Sequence, residues 1–382
     1  MKTLPMLRKA ALACAFAVSC FTVSTAFAQA PVATAPGVGV SKYAGGFNNP
    51  RGLAFGPKTS SRQFLFVAEG GVGGSNSTAG LCDQIEPPIG PYTGSPDGAR
   101  VSVVLGRPVY ETPTRRTVVD NLPSSQTSPD SGSLVSGVAD VAFIGDTLYM
   151  LVSGASCTHG VVPRENAIIR LGGDGRPKLV ANLAKWLRAN PGSELGPDVE
   201  PDGTWYSMSA YNGKLYVIEP NQGLFVRVDP STGAISRVLD VSKAAGAHVV
   251  PTSLFRFKGY FYIANLGTFP IMDGTQHVWR LRTDPLRLQS VARATAVLGL
   301  AFDPRDDAMY ILQMTSGAPG PTPGMGSILR VRPGHAPETI VAGLTLPTAI
   351  TMGPDGALYV SHIGFGPPIP GVGEILRVTL PH

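Results

Sequence analysis

The stretch LPTAITMGPDGALYVS, residues 346–361, holds one unit of the pattern that decides the fold. Its first half, Leu346 to Met352, alternates apolar with small or polar residues, which is typical of a β-strand. Gly353 to Gly356 supplies the residue types that a tight turn requires. Ala357 to Ser361 then predicts a second strand. After a loop rich in Gly and Pro, Glu374 to Val378 predicts a third.

The second strand of this unit contains a three-residue phrase that occurs six times in the chain. In each copy an aromatic residue stands between two hydrophobic residues. The last four central aromatics are 46, 48 and 49 residues apart, and a nearly fixed period of this size indicates a repeat architecture. Five units also have a fourth strand, but the chain ends before the sixth unit can form one. The six phrases are Leu65-Phe66-Val67, Leu148-Tyr149-Met150, Leu215-Tyr216-Val217, Phe261-Tyr262-Ile263, Met309-Tyr310-Ile311 and Leu358-Tyr359-Val360.

The missing strand is found at the other end of the chain. Ala44 to Pro50 repeats the pattern of Val341 to Pro347, so the N-terminal strand is expected to complete the last unit. Closing the ring in this way removes exposed sheet edges. We therefore predict an all-β fold, a six-bladed β-propeller with four antiparallel strands per blade. Helical spacing at Leu183, Trp186 and Leu187 predicts a short helix before the third blade.

The first 28 residues have the composition of an export signal. Lys2, Arg8 and Lys9 precede an apolar stretch that is too short to span a bilayer comfortably, and Ala26-Phe27-Ala28 supplies a cleavage site. We expect cleavage after Ala28, a propeller domain over residues 29–382, and a periplasmic or secreted location. The leader carries three of the 31 basic residues and none of the 26 acidic ones, which leaves a net charge of about +2.

The composition of the remaining chain argues against several classes of partner. No basic stripe or interleaved basic and aromatic run indicates nucleic-acid binding. No later segment is long and apolar enough to predict a membrane span. We expect a monomer.

A family resemblance rests on two regions of the sequence. Asn49 to Phe55, followed by Leu65 to Glu69, resembles the NHL-type propeller repeat. The whole chain after the leader is similar to the ScyD/ScyE family of exported bacterial propellers, whose namesakes are associated with a gene cluster for the pigment scytonemin. Glu194 to Tyr206 resembles that family's acidic stretch before the third blade. Trp205-Tyr206-Ser207 stands where the family has Pro-Tyr-Gly.

The third position after each central aromatic is structurally equivalent in all six units, and five of these six residues are polar. A ring of oxygen donors with one imidazole is suited to a divalent cation or a polar small molecule. Two carboxylates could also divide acid and base roles. The alternative is that these side chains cap strand ends and bind water. The six residues are Glu69, Val152, Glu219, Asn265, Gln313 and His362.

A second set of equivalent positions lies on the predicted innermost strands, and five of its six residues are small and uncharged, as expected where six strands crowd the axis. Asp140 is the exception, and a buried carboxylate needs a partner or a metal. The set is Gly52, Asp140, Ser207, Ser253, Gly299 and Ala349. If a metal is present, calcium is the expected ion, with Glu69, Asp140, Glu219 and Asn265 as candidate ligands.

Two cysteines remain after the leader is removed. Cys82 and Cys157 follow the second strands of the first two blades, so their loops are expected on the same face of adjacent blades. An exported protein favours oxidised thiols. We predict a disulfide between them, and we expect His159 to be a loop residue rather than a ligand.

The sequence lacks the motifs that would identify an enzyme. Neither a Gly-x-Ser-x-Gly elbow nor a His-Glu-x-x-His helix occurs. The favoured hypothesis is a binding or accessory protein that takes a small molecule or partner at the loop-rich mouth of the central channel. The alternative is a metal-assisted hydrolase, lactonase or lyase at the same mouth.

Overall fold

A computed structural model describes residues 30–59, 62–106, 112–193, 196, 198–283 and 285–381. The predicted export signal lies outside this range. The first twelve strands in chain order are β1 (Val32–Ala33), β2 (Gly39–Phe47), β3 (Pro50–Phe55), β4 (Leu65–Glu69), β5 (Thr93–Leu105), β6 (Thr114–Gln126), β7 (Val135–Ser136), β8 (Val138–Ile144), β9 (Thr147–Val152), β10 (Ala167–Leu171), β11 (Pro177–Asn182) and β12 (Ser207–Tyr211).

The second half of the chain continues in the same manner. Its strands are β13 (Lys214–Glu219), β14 (Leu224–Val228), β15 (Ile235–Asp240), β16 (Pro251–Phe257), β17 (Tyr260–Asn265), β18 (Gln276–Thr283), β19 (Leu286–Ala294), β20 (Val297–Phe302), β21 (Met309–Gln313), β22 (Gly326–Val331), β23 (Glu338–Leu344), β24 (Ala349–Met352), β25 (Leu358–His362) and β26 (Gly373–Thr379). The helices are α1 (Leu183–Ala189) and α2 (Val241–Ala245), with 3-10 turns at Pro129–Ser131 and Cys157–His159. The helix predicted before the third blade is confirmed as α1.

The strands form six antiparallel sheets, which are the blades of a closed propeller. Blades 2, 3 and 4 are the four-stranded sheets that begin with β8, β12 and β16. Blades 1 and 5 begin with β3 and β20, and each adds one two-residue strand, β7 or β1, to its four. Blade 6 has the order β2-β26-β25-β24. The N-terminal strand β2 therefore completes the last blade, which confirms the predicted closure and the predicted fold class.

The hydrophobic core is divided into six clusters, one between each pair of neighbouring blades. In the cluster between blades 1 and 2, for example, Ala68 and Val101 of blade 1 pack against Val141 and Met150 of blade 2. Because each blade lies between two others, both faces of its sheet are buried, and strands such as β9 and β21 are therefore buried at consecutive residues. No helix in the described part of the chain is long and apolar enough to cross a bilayer.

Candidate functional site

The six innermost strands surround a cavity on the propeller axis. Each of β3, β8, β12, β16, β20 and β24 pairs on one side only, so its other edge of backbone N–H and C=O groups faces the axis. The space between these edges has a volume of about 330 Å3 and is lined by residues from all six blades. We call it the axial cavity. Its size lies at the lower end of the range for small-molecule sites.

The axial cavity has a polar end and an apolar end. All inner strands begin on the face that carries the long loops and finish on the face that carries the short turns. Near their beginnings the lining includes Arg51, Asp140 and Tyr206, whereas near their ends it includes Phe55 and Phe143. A ligand with a polar head and an apolar body would match this division.

Irregular pairing at the start of the inner strands exposes side chains to the axis. The register shifts between Pro50 and Leu53 in blade 1, and equivalent shifts occur at the start of β8, β16 and β20. A β-bulge of this kind leaves a residue without a partner and redirects its side chain. Arg51 is such a residue, which explains how a long cationic side chain comes to line a channel between tightly packed blades.

Arg51 is buried, with 6% of its surface exposed. Its guanidinium donates to the carbonyl oxygen of Val135, lies 4.9 Å from the centre of the Phe365 ring and contacts the Tyr206 hydroxyl. Among the described residues no carboxylate lies within ion-pair distance of it. Burial lowers the pKa of the Arg51 guanidinium, because a cation removed from water is stabilised less.

Tyr206 crosses the channel at its polar end. The residue immediately precedes β12 in blade 3, and its hydroxyl donates to the carbonyl oxygen of Thr348 in blade 6 at 3.1 Å. Blades 3 and 6 are opposite one another in a ring of six, so the phenol spans the axis. The ring packs with Leu298 and Phe365 in an apolar cluster at the mouth. Burial raises the pKa of Tyr206 to about 12, so the hydroxyl stays protonated at neutral pH.

Asp140 joins neighbouring blades at the same level. One carboxylate oxygen accepts the N–H of Val141 at 2.8 Å, and the other accepts the N–H of Met208 in blade 3 at 2.7 Å. Gly52 of blade 1 packs against the carboxylate, and a Cβ there would overlap it and lie 2.7 Å from the Asp140 Cα. Burial raises the pKa of Asp140 to about 7, against the opposing effect of these hydrogen bonds.

The predicted ring at the ends of the second strands lies outside the lining of the axial cavity. All six residues are buried, with exposures between 0% and 5%. The five polar members hydrogen-bond to backbone, and four of them accept an N–H from the segment that leads into the first strand of their own blade. We call these five the clamp residues: Glu69, Glu219, Asn265, Gln313 and His362.

Two clamp residues show how these bonds are used. Gln313 accepts the N–H of Thr295 at 2.7 Å and donates to Ser327 Oγ at 2.7 Å. His362 Nε2 accepts the N–H of Thr345 at 2.9 Å. The residue after each contacted position, Ala296 or Leu346, has a positive φ of 44° or 43°. Side chains other than glycine adopt this conformation at a cost, so the clamp fixes a strained turn.

The same turn occurs in blades 1 and 4. Asn49 and Val250 have φ values of 49° and 52°. Glu69 accepts the N–H of Asn48 at 2.7 Å, and Asn265 donates to the carbonyl of Val249 at 2.9 Å. The contact therefore recurs directly before the strained residue in four blades. The predicted binding role of the clamp residues stays a prediction, whereas their structural contacts are defined.

Glu69 and Glu219 occupy equivalent positions with different surroundings. Glu69 lies 2.9 Å from Arg100 Nε and 3.6 Å from Arg115 Nη1. Glu219 instead accepts three backbone N–H groups, from Thr204, Asn221 and Gln222. Burial raises the pKa of Glu219 to about 7, because no cation offsets the loss of water.

The candidate calcium ligands do not converge in the structure. Across the described part of the chain, no three His, Cys, Asp or Glu side chains are grouped so that they could hold a metal ion. Glu69, Glu219 and Asn265 use their oxygens on backbone N–H groups of three different blades, and Asp140 uses both of its own. The donor set therefore does not fit a shared calcium ion.

The predicted disulfide is confirmed. Cys82 and Cys157 are bonded, with 6.3 Å between their Cα atoms. Next to it, His159 is fully buried, and its Nδ1 lies 2.9 Å from Ser125 Oγ while its Nε2 lies 3.6 Å from Glu200 Oε2. These are the residue types of a nucleophilic triad, but Ser125 is also fully buried and does not line the axial cavity. The group ties the disulfide loop to blade 3.

Comparison with known proteins supports the fold and leaves the family open. No protein-family model matches the sequence, and no curated protein does so either. A structural genomics protein of unknown function from Bacteroides thetaiotaomicron is similar with a TM-score of 0.53 at 11% identity, over 90% of this chain and 76% of that one. An auxiliary nutrient binding protein from the same organism has a TM-score of 0.50 at 11% identity, over 88% and 76%.

An enzyme also lies among the similar structures. A gluconolactonase from Xanthomonas campestris has a TM-score of 0.45 at 14% identity, with 77% of this chain and 99% of that one covered. At 11% identity, the likeness to the two Bacteroides proteins shows the fold alone. The assignment to the NHL-type or ScyD/ScyE family therefore stays a prediction from the sequence.

Arg51 and Tyr206 are the functional candidates that the sequence did not identify as such. They occupy the position directly before the set that contains Asp140, and in the other blades this position holds Ala139, Thr252, Leu298 and Thr348. The direction of the Arg51 side chain could not be read from period-2 alternation, because the bulge in blade 1 changes the side on which it projects. The sequence signal that could have identified them is that one Arg and one Tyr occupy equivalent positions whose other four residues are small or apolar.

Proposed function

We propose that the protein is an exported binding protein that holds a small molecule in the axial cavity. The observation that carries this proposal is the cavity itself, which is about 330 Å3 in volume, is lined by all six inner strands, and is polar at one end and apolar at the other. A cavity of this volume lies at the lower end of the range for small-molecule sites. This is enough for a compact organic molecule.

The polar end gives the ligand an orientation. Arg51, Tyr206 and Asp140 present a cation, a hydroxyl and a carboxyl there, whereas lining residues farther along the inner strands, such as Leu300 and Ile350, are apolar. The proposal therefore moves the binding site from the clamp residues, whose polar atoms already have partners, to the channel between the inner strands.

The metal-assisted hydrolase, lactonase or lyase has weaker support. Its calcium would need three or four converging oxygen ligands, and the candidate ligands point to separate backbone partners. Asp140 is the carboxyl of the cavity with a raised pKa, and such groups mark possible acid–base residues. Both of its oxygens, however, accept backbone N–H groups. We therefore favour binding over catalysis.

The test uses saturation-transfer NMR with three probes that fit the volume: benzoate, benzamide and benzyl alcohol. We expect at least one probe to bind the wild-type protein. Binding should be lost in Ala139→Phe, because the larger side chain would fill the axial cavity. Ala139 has in blade 2 the position that Arg51 has in blade 1 and Tyr206 has in blade 3. Ser209→Phe is a second filling variant, used with the first so that the result does not depend on the folding of one variant.

Two results would contradict the proposal. One is the absence of binding by all three probes to the folded wild-type protein. The other is binding that persists unchanged in a folded filling variant, which would place the probes on the outer surface.

A further inference from the structure

Arg51 is an unusual residue for the interior of a propeller. A buried guanidinium is normally paired with a carboxylate, because an isolated charge away from water is costly. In the described structure its polar neighbours are the neutral oxygens of Val135 and Tyr206. Two arginines on the outer strands of blade 1 show the usual arrangement, since Arg100 and Arg115 both approach Glu69.

The environment holds Arg51 in place without neutralising it. The Val135 carbonyl takes one donor, and the ring of Phe365 covers one face of the guanidinium. A guanidinium has five N–H donors in a planar fork, which matches the two oxygens of a carboxylate. Arg51 lines the axial cavity, so donors remaining at the cavity side are available to a ligand.

We infer that Arg51 is the docking point for the carboxylate group of the bound molecule, and that the ligand class is a small monocarboxylate with an apolar body. This inference rests on the proposed binding function and names its ligand class. The lining holds one arginine, Arg51, and one carboxyl, Asp140, whose two oxygens already accept backbone N–H groups. One cation matches one negative charge, whereas a dianion such as phosphate would require further cations that the lining does not provide. The body of the ligand would extend along the inner strands, toward lining residues such as Leu300 and Ile350.

The placement of Tyr206 supports this orientation. Its hydroxyl contacts Arg51 and donates to the Thr348 carbonyl across the axis. The phenol therefore closes the polar end of the cavity and fixes the position of the guanidinium. A carboxylate bound to Arg51 would be held between this closed end and the apolar walls, where low dielectric strengthens a charge-assisted hydrogen bond.

The experiment compares benzoate with benzamide, which has the same shape without the charge, and with inorganic phosphate. Dissociation constants are measured by NMR titration for wild type, Arg51→Met, Arg51→Lys and Arg227→Met. Arg227 is exposed on β14 and serves as the matched control. We expect wild type to bind benzoate at least tenfold more tightly than benzamide and to ignore phosphate.

Arg51→Met should abolish the preference for benzoate, Arg51→Lys should retain part of it, and Arg227→Met should leave it unchanged. Equal binding of benzoate and benzamide by wild type would overturn the inference while leaving the binding function intact. Preferential binding that survives in Arg51→Met would overturn it as well, and tight binding of phosphate would replace the ligand class. Failure of every probe to bind would remove both the inference and the proposed function.

Discussion

The clamp residues and the polar end of the axial cavity contain similar chemistry but use it differently. The clamp side chains are buried, and each makes at least one hydrogen bond to a backbone group next to the first strand of its blade. Arg51 is equally buried, yet its charge has no anionic partner in the described structure. Polar groups with complete hydrogen bonding stabilise a fold, whereas a buried charge without a counter-ion destabilises it. This difference indicates that the clamp supports the ring and that Arg51 serves a ligand.

The strongest perturbation of the channel is expected from Gly52→Ala. A Cβ at this position would overlap the Asp140 carboxylate and lie 2.7 Å from the Asp140 Cα, so backbone of blade 1 or blade 2 must move. We expect the free energy of unfolding to fall by about 3 kcal/mol, the upper end for overpacking. Urea unfolding measures the change. Gly173→Ala is the control, since no atom lies within 4 Å of its added Cβ, and equal effects of the two variants would contradict the contact.

Removing a clamp side chain should have the next largest effect. In Gln313→Ala the buried N–H of Thr295 loses its acceptor, and this N–H precedes the strained residue Ala296. We expect a loss of about 2 kcal/mol in the free energy of unfolding, with the binding of benzoate unchanged. Urea unfolding and NMR titration check the two parts. A variant of unchanged stability, or one that loses binding, would contradict the assignment of this residue to structural support.

Glu219 predicts a dependence of stability on pH. Its pKa rises from 4.5 in the unfolded chain to about 7 in the fold. Between these values the folded protein holds a proton that the unfolded chain has released. The stabilisation that this bound proton adds to the free energy of unfolding is therefore complete below pH 4.5 and is lost as the pH rises through 7. Glu219 can lower the free energy of unfolding by at most about 1.4 kcal/mol per pH unit.

The measurement is urea unfolding between pH 5 and pH 8, for wild type and Glu219→Gln. We expect the variant to lose less stability than wild type over this interval, because an amide does not titrate. Parallel curves for the two proteins would show that Glu219 has an ordinary pKa in the folded state.

The sequence predicted the architecture better than the site. Repetition of one strand phrase specified six blades, the match between Ala44–Pro50 and Val341–Pro347 specified the closure, and equivalent loops brought Cys82 and Cys157 together. Equivalence of positions, however, does not give the direction of a side chain. The ring at the strand ends was expected either to bind a ligand or to cap the strands; its contacts with backbone groups are now defined, and its binding role stays a prediction. Arg51 was missed because a local bulge, which the period does not reveal, directs it to the axis.

The central claim is that Arg51 is retained for a ligand and not for stability, and thermal unfolding of Arg51→Met tests it most directly. We predict a melting temperature equal to or above that of wild type, with a change in the free energy of unfolding within about 1 kcal/mol, together with loss of benzoate binding. Gln313→Ala, measured beside it, should melt lower and still bind benzoate. A fall in the stability of Arg51→Met as large as that of Gln313→Ala, with benzoate still bound, would contradict the account.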